Sequence, residues 1–193
     1  IVDNKGLALT NPVAWFDARG EQEMQALGDS FKLGFQSKTG LVFKAEASIS
    51  TLLSFKSEGF DFKNKDIVWL NLQEYIAYRL TGVMASEPSL TSRTGLYDQS
   101  DLSMWQGAID ALGISKDFVP RELIAGSEWG KINSTYFKPE ILGASVTIAG
   151  HDHAVGAMGS GATQPDQIFN STGTSDAIIR TVPGKLSDAQ RLE

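Results

Sequence analysis

The sequence predicts a mixed chain of the α/β or α+β class, and three observations carry that expectation. Apolar residues recur at helical spacing through the first two thirds of the chain. A short β-branched run, Ala144–Ala149, ends on a glycine as a buried strand would, and two further strand-like segments flank the small-residue turn at Thr172-Gly173-Thr174. With 193 residues, 41% of them hydrophobic and 21% charged, the chain has the apolar mass for one large or two small domains and is not a disordered one. Seventeen basic against 23 acidic residues give a net charge of −6, and no Lys/Arg cluster is present, which argues against a nucleic-acid or anionic-membrane surface. There is no cysteine, hence no disulfide, thiolate or Cys-bound zinc. No apolar stretch approaches the roughly 18 residues of a bilayer span.

In chain order, Ile1-Val2 leads through a turn at Asp3–Gly6 to Leu7-Ala8-Leu9, an expected hairpin. It starts without Met inside a strand and has no signal-peptide pattern, which raises the expectation of a piece of a larger protein. Met24, Leu27 and Phe31 predict a helix over 21–35 that is punctuated at Lys38-Thr39-Gly40, and Ile49, Leu52, Leu53 and Phe55 predict another over 47–56. Residues 67–80 read as a helix apolar nearly all round, hence a core helix, stopped at Thr81-Gly82. The Ser- and Thr-rich stretch 87–97 reads as extended or looped, and 103–112 as a helix ending at Gly113. Gly156, Gly159 and Gly161 make 154–162 a poor helix by propensity but a surface that neighbours can approach closely.

Three constellations could do chemistry. His151-Asp152-His153 follows the predicted strand, where α/β folds place ligands, and Asp152 there could take a proton from a substrate hydroxyl. The two histidines, the only ones in the chain, could instead ligate a metal with carboxylates from elsewhere, or the loop could simply hydrogen-bond its own backbone. Asn170–Ser175 is a turn whose amides and hydroxyls could wrap a phosphate, and equally an ordinary hairpin connection. In an extended segment Trp15, Asp17 and Arg19 would share one face, a recipe for a sugar site and equally for a solvated salt bridge beside a core Trp.

The order of these pieces resembles a known family. Trp15-x-Asp17-x-Arg19 is followed by Glu74–Gly82, Ser92–Asp98, Trp105, Leu112-Gly113-Ile114, Pro120 and Gly126-Ser127. Then come Gly150–His153, with Gly159 seven residues after Asp152, and Ser171–Ser175. This series resembles the FGGY family of carbohydrate kinases, xylulokinase and glycerol kinase among its members. The resemblance implies the actin/hexokinase architecture of two ribonuclease-H-like domains and ATP-dependent transfer of a γ-phosphoryl group to a sugar or polyol in a cytoplasmic enzyme. It implies that Asp152 is the catalytic base, that Trp15, Asp17, Arg19, Glu46 and His153 belong to the sugar site, and that Gly173 and Thr174 meet the ATP phosphates. Glu46 stands where glycerol kinases carry a substrate-contacting Tyr, which counts against glycerol.

The resemblance also implies that Mg²⁺ is held mainly by groups not in this chain, and because hard Mg²⁺ prefers oxygen ligands and phosphate to imidazole, His151 and His153 are expected to be metal-free. Residues 1–165 would then be the latter part of the sugar-binding N-terminal domain and 166–193 the first hairpin of an ATP-binding domain. Ile168, Phe169, Ile178, Ile179 and Val182 of that hairpin would be partly exposed, along an edge that invites a homo-oligomeric contact. A second reading, a carbohydrate-binding or interaction fragment without kinase activity, stands beside the kinase.

Overall fold

The computed structural model describes residues 1–193 apart from 134–136, 174–175 and 193. Strand β1 (Val2–Asp3) turns through Gly6, whose N–H donates to Asp3 O at 2.9 Å, and Val2 bridges Ala8, as the opening hairpin requires. The predicted helix over 21–35 is two helices, α1 (Glu21–Gln25) and α2 (Gly28–Thr39). They part at Gly28, whose φ of 77° is incompatible with a continuous helix. Helix α3 (Ser48–Ser57) lies within one residue of its expected span.

The predicted core helix over 67–80 is corrected. Its first residues form strand β2 (Ile67–Val68), antiparallel to β1 with Val2 opposite Val68, and the helix proper is α4 (Leu72–Thr81). Leu72 and Ile76 are more than half exposed, while Glu74, Ala77 and Thr81 are buried. These three lie at i, i+3 and i+7, one stripe of the helix, so α4 turns its small and polar face inward. The stretch read as extended holds the short helix α5 (Pro88–Thr91), with Pro88 at its first position. The predicted helix over 103–112 begins as strand β4 (Ser103–Met104), paired with β3 (Tyr97–Asp98), and continues as α6 (Gln106–Leu112).

Next come β5 (Glu128–Lys131), a 3₁₀ turn (Pro139–Ile141), β6 (Ser145–Thr147), α7 (Asp152–Gly159), β7 (Ile168–Thr172) and β8 (Asp176–Arg180). Among the described residues the named strands pair two by two, all antiparallel: β1–β2, β3–β4, β5–β6 and β7–β8. The buried strand expected over Ala144–Ala149 is therefore corrected as well. With β5 as its one partner, β6 leaves Ser145 and Thr147 exposed and only half-buries Val146, while Ile148 beyond it is buried.

The main core gathers Met24, Phe35, Ile49, Leu52, Leu96 and Phe118 from α1, α2, α3 and the loops around them. The Phe35 ring meets Phe43 edge-on at 5.6 Å and Trp105 at 6.1 Å. Gly95, with φ of 79°, fits against it only because it lacks a side chain, since a Cβ there would stand 2.7 Å from Phe35 Cε2. A smaller core of Ala77, Ala85, Leu90, Trp129 and Ile148 joins α4 and α5 to the β5–β6 hairpin. Helix α7 packs on the β7–β8 hairpin. Gly156 gives Phe169 its seat, a Cβ there falling 3.1 Å from the ring, which is the close approach its glycines predict. Ile168 and Ile178 remain exposed on the opposite face. The chain then returns to the end of α2, where Lys38 bridges Asp188 at 2.7 Å. Among the described residues no helix is long and apolar enough to cross a membrane.

Candidate active site

The segment 150–153 starts from Gly150, whose φ of 121° sets the chain against α5: a Cβ there would lie 2.9 Å from Ser89 Oγ. His151 is extended and precedes the first residue of α7, Asp152. An acid in that first turn complements the positive end of the helix dipole. The Asp152 side chain is 84% exposed, so it is presented rather than buried. Its Oδ1 accepts the His153 N–H at 2.8 Å and lies 3.2 Å from His151 Nδ1, while Oδ2 has no protein partner among the described residues. Burial holds the His151 imidazole below its usual pKa, outweighing the opposite pull of Asp152. The rings of His151 and His153 stand 5.4 Å apart, and no three His, Asp or Glu side chains among the described residues converge as metal ligands.

The Trp15–Arg19 segment is not extended, which corrects the shared face expected for it. Asp17 N–H donates to Ala14 O at 3.0 Å, closing a turn. Asp17 and Arg19 instead pair with each other, Nη2 to Oδ2 at 2.8 Å and Nε to Oδ1 at 3.1 Å, and the Arg19 hydrogen bonds hold the Asp17 carboxyl below its ordinary pKa. Trp15 is no core residue. It is 72% exposed, and together with Glu46 it lines a cavity of about 280 Å³ that also takes in Asn11, Trp69, Asn71 and Tyr75. The indole N–H of Trp69 is buried and has no hydrogen-bond partner among the described residues. Aromatic rings with a few polar groups are what a small polyhydroxy ligand needs. Arg19 lines a second, adjoining cavity that shares Thr10 to Val13 with the first.

The structure thus brings Trp15 together with Glu46, Asp17 with Arg19, and Asp152 with both histidines. Asp17, Asp152 and His153 line neither cavity. Gly173 is exposed just beyond the Thr172–Asp176 pair that closes the β7–β8 hairpin, and Thr174 lies outside the described residues. Sequence reasoning passed over two buried carboxylates. Glu74 Oε2 accepts the Asn71 N–H at 2.7 Å and Nδ2 at 2.9 Å, and Glu87 caps α5 by accepting from Ser89 N and Leu90 N. Asn71-x-x-Glu74 is a capping-box spacing, and Glu87-Pro88 places a carboxylate before a proline at the first helical position. Both signals were there to be read.

Comparison with known proteins places this geometry in a family. Residues 1–159 match the model of the FGGY family of carbohydrate kinases, N-terminal domain. Among curated relatives, the rhamnulokinase of Lactiplantibacillus plantarum is 28% identical over 186 residues, covering 90% of this chain and 36% of that protein. Among solved structures, ligand-bound xylulose kinase from Lactobacillus acidophilus superposes with a TM-score of 0.82 at 26% identity, covering 92% of this chain and 37% of the other. Plasmodium falciparum glycerol kinase, solved with ADP, gives 0.81 at 21% identity, over 92% of this chain and 36% of the other. The chain spans a little over a third of the length of these proteins. Its fold is the actin/hexokinase-like fold of such kinases, and by its match over residues 1–159 the chain belongs to the FGGY family of carbohydrate kinases.

Proposed function

We propose that the complete enzyme transfers the γ-phosphoryl group of ATP to a hydroxyl of a sugar or polyol, and that this chain supplies the acceptor-binding wall and the general base. The observation that carries the proposal is the Asp152 carboxylate, presented to solvent from the first turn of α7 with Oδ2 free. Oδ2 takes the hydroxyl proton as that oxygen forms its bond to the γ-phosphorus, while the bond from γ-phosphorus to the bridging oxygen breaks and ADP leaves. The hydrogen bond from the His153 N–H holds Oδ1, with the His151 imidazole beside it.

In this reading Trp15 and Glu46 receive the acceptor, with Asp17, Arg19 and His153 shaping its surroundings, and Gly173 with Thr174 meets the ATP phosphates. Glu46 favours an acceptor other than glycerol. Residues 1–165 belong to the sugar-binding domain and 166–193 open the nucleotide-binding one, in a cytoplasmic enzyme. Magnesium, which the family implies, finds no cage of three carboxylate or imidazole groups among the described residues. No step assigned to this chain passes through it.

Replacing Asp152 by Asn in the complete enzyme keeps the size and removes the proton acceptor. Turnover should fall about 10²- to 10⁴-fold with the fold intact. ADP release, assayed against pentuloses, hexuloses, polyols and aldonates, identifies the acceptor first, and an Asn variant that keeps most of its turnover removes Asp152 from the role.

A further inference from the structure

A polar chain with two buried glutamates at its centre connects the wall of the Trp15–Glu46 cavity to the Asp152 segment. It begins at Asn71, which lines that cavity and donates twice to Glu74 Oε2. The other oxygen, Glu74 Oε1, accepts the backbone N–H of Glu87 at 2.8 Å. Glu87 Oε2 in turn accepts the Ser89 hydroxyl at 2.5 Å, and Ser89 Oγ accepts the backbone N–H of His151 at 2.8 Å. Glu74 and Glu87 are both essentially inaccessible to solvent.

The direction of each hydrogen bond is fixed by chemistry. The His151 amide can only donate, so Ser89 Oγ must accept from it and spend its single proton on Glu87. That proton needs an acceptor, which Glu87 Oε2 provides. The amides of Ser89 and Leu90 also donate to the Glu87 carboxyl group, and Glu74 accepts the backbone N–H of Glu87. Gly150 completes the fit, because any side chain there would collide with Ser89 Oγ. Two carboxylates buried in this way are costly to keep merely for packing.

We propose that Glu87, acting through Ser89, is a positioning residue that moors the His151–Asp152 backbone to the acceptor cavity's wall, with Glu74 as its anchor. The inference rests on the kinase reading for its catalytic consequence, but the mooring itself is a statement about one amide. A carboxylate displaced by even about 1 Å from its working position costs up to about 100-fold in rate.

The test is Ser89→Ala in the complete enzyme, with Glu87→Gln as a second variant that weakens the same link from the other side. Two quantities are read: hydrogen exchange at the His151 amide, and kcat against KM. In both variants the His151 amide should exchange about 10-fold faster or more. Turnover should fall about 10- to 100-fold, while KM for the sugar and for ATP stays within twofold. Unchanged His151 exchange in Ser89→Ala overturns the mooring. Faster exchange with kcat within twofold of the wild type overturns its role in positioning Asp152. A wild-type enzyme inactive on the whole acceptor panel overturns the kinase reading instead, and the exchange rates still decide the mooring.

Discussion

Residues 20–119 and residues 120–192 are held together by different means. The first region is built around fully buried aromatic and aliphatic side chains, with Phe35, Leu52, Leu96 and Phe118 in one continuous cluster. In the second, the buried apolar side chains among the described residues are Trp129, Ile148 and Ala157. Its strands come as hairpins that leave one face to solvent. The Asp152 segment belongs to this second region, yet its placement depends on Ser89 and Glu87 in the first. Stability is therefore concentrated away from the proposed base, and order is conveyed to the base through polar contacts. Mutations should separate the two properties accordingly.

The largest effect should come from emptying the main core. Phe35→Ala removes a ring with no solvent exposure that packs on Phe43 and Trp105, and should cost about 3–5 kcal/mol in denaturant unfolding. A loss below about 1 kcal/mol would show that the first region is not the stronger one.

The next effect is electrostatic. Burial raises the Glu74 carboxyl to about 7 from its ordinary 4.5, against the opposing hydrogen bonds of Glu87 N–H and Asn71. The folded state binds this proton more tightly than the unfolded one. Glu74's contribution to stability is thus full below about pH 4.5 and lost as the pH rises through about 7, a change on the order of 3 kcal/mol. Glu74→Gln, which cannot ionise, should gain on the wild type by about that amount between pH 4.5 and 8 in parallel unfolding curves. Parallel pH profiles for the two proteins would place Glu74 in a more solvated setting than its burial implies.

The smallest effect belongs to the outer face of the last hairpin. Ile178→Thr exchanges one β-branched residue for another at a side chain 72% exposed, so stability of the isolated chain should move by no more than about 0.5 kcal/mol. A larger loss, growing with protein concentration, would mean that the face is covered by a second copy.

The sequence was legible where periodicity and punctuation agreed. Helix α3, the β7–β8 hairpin and the turn at Asp3–Gly6 lie where spacing and turn residues put them. It misled where apolar content was taken for burial. The run of large side chains over 67–80 reads as a core helix, but Leu72 and Ile76 face outward and Glu74 inward. A buried carboxyl group satisfied by Asn71 and by the Glu87 backbone N–H leaves no hydrophobic trace, and only the capping-box spacing marks it. The same holds at Trp15, whose bulk reads as core and whose place is a cavity wall. At the proposed site, the order of motifs marked out Asp152 as the position to watch. What keeps that position still was hidden, because the Ser89–His151 bond joins residues 62 apart in sequence.

The seat of Phe169 on Gly156 has one more consequence. Gly156 and Asp152 lie one helical turn apart on α7, about 6 Å along its axis. The hairpin that presents Gly173 and the helix that presents Asp152 are thereby geared together through a ring resting on bare backbone. On the proposed reading, a tilt of the hairpin on binding nucleotide would be felt at Asp152. On that same reading, hold on the donor and aim at the acceptor would not be two separate dials.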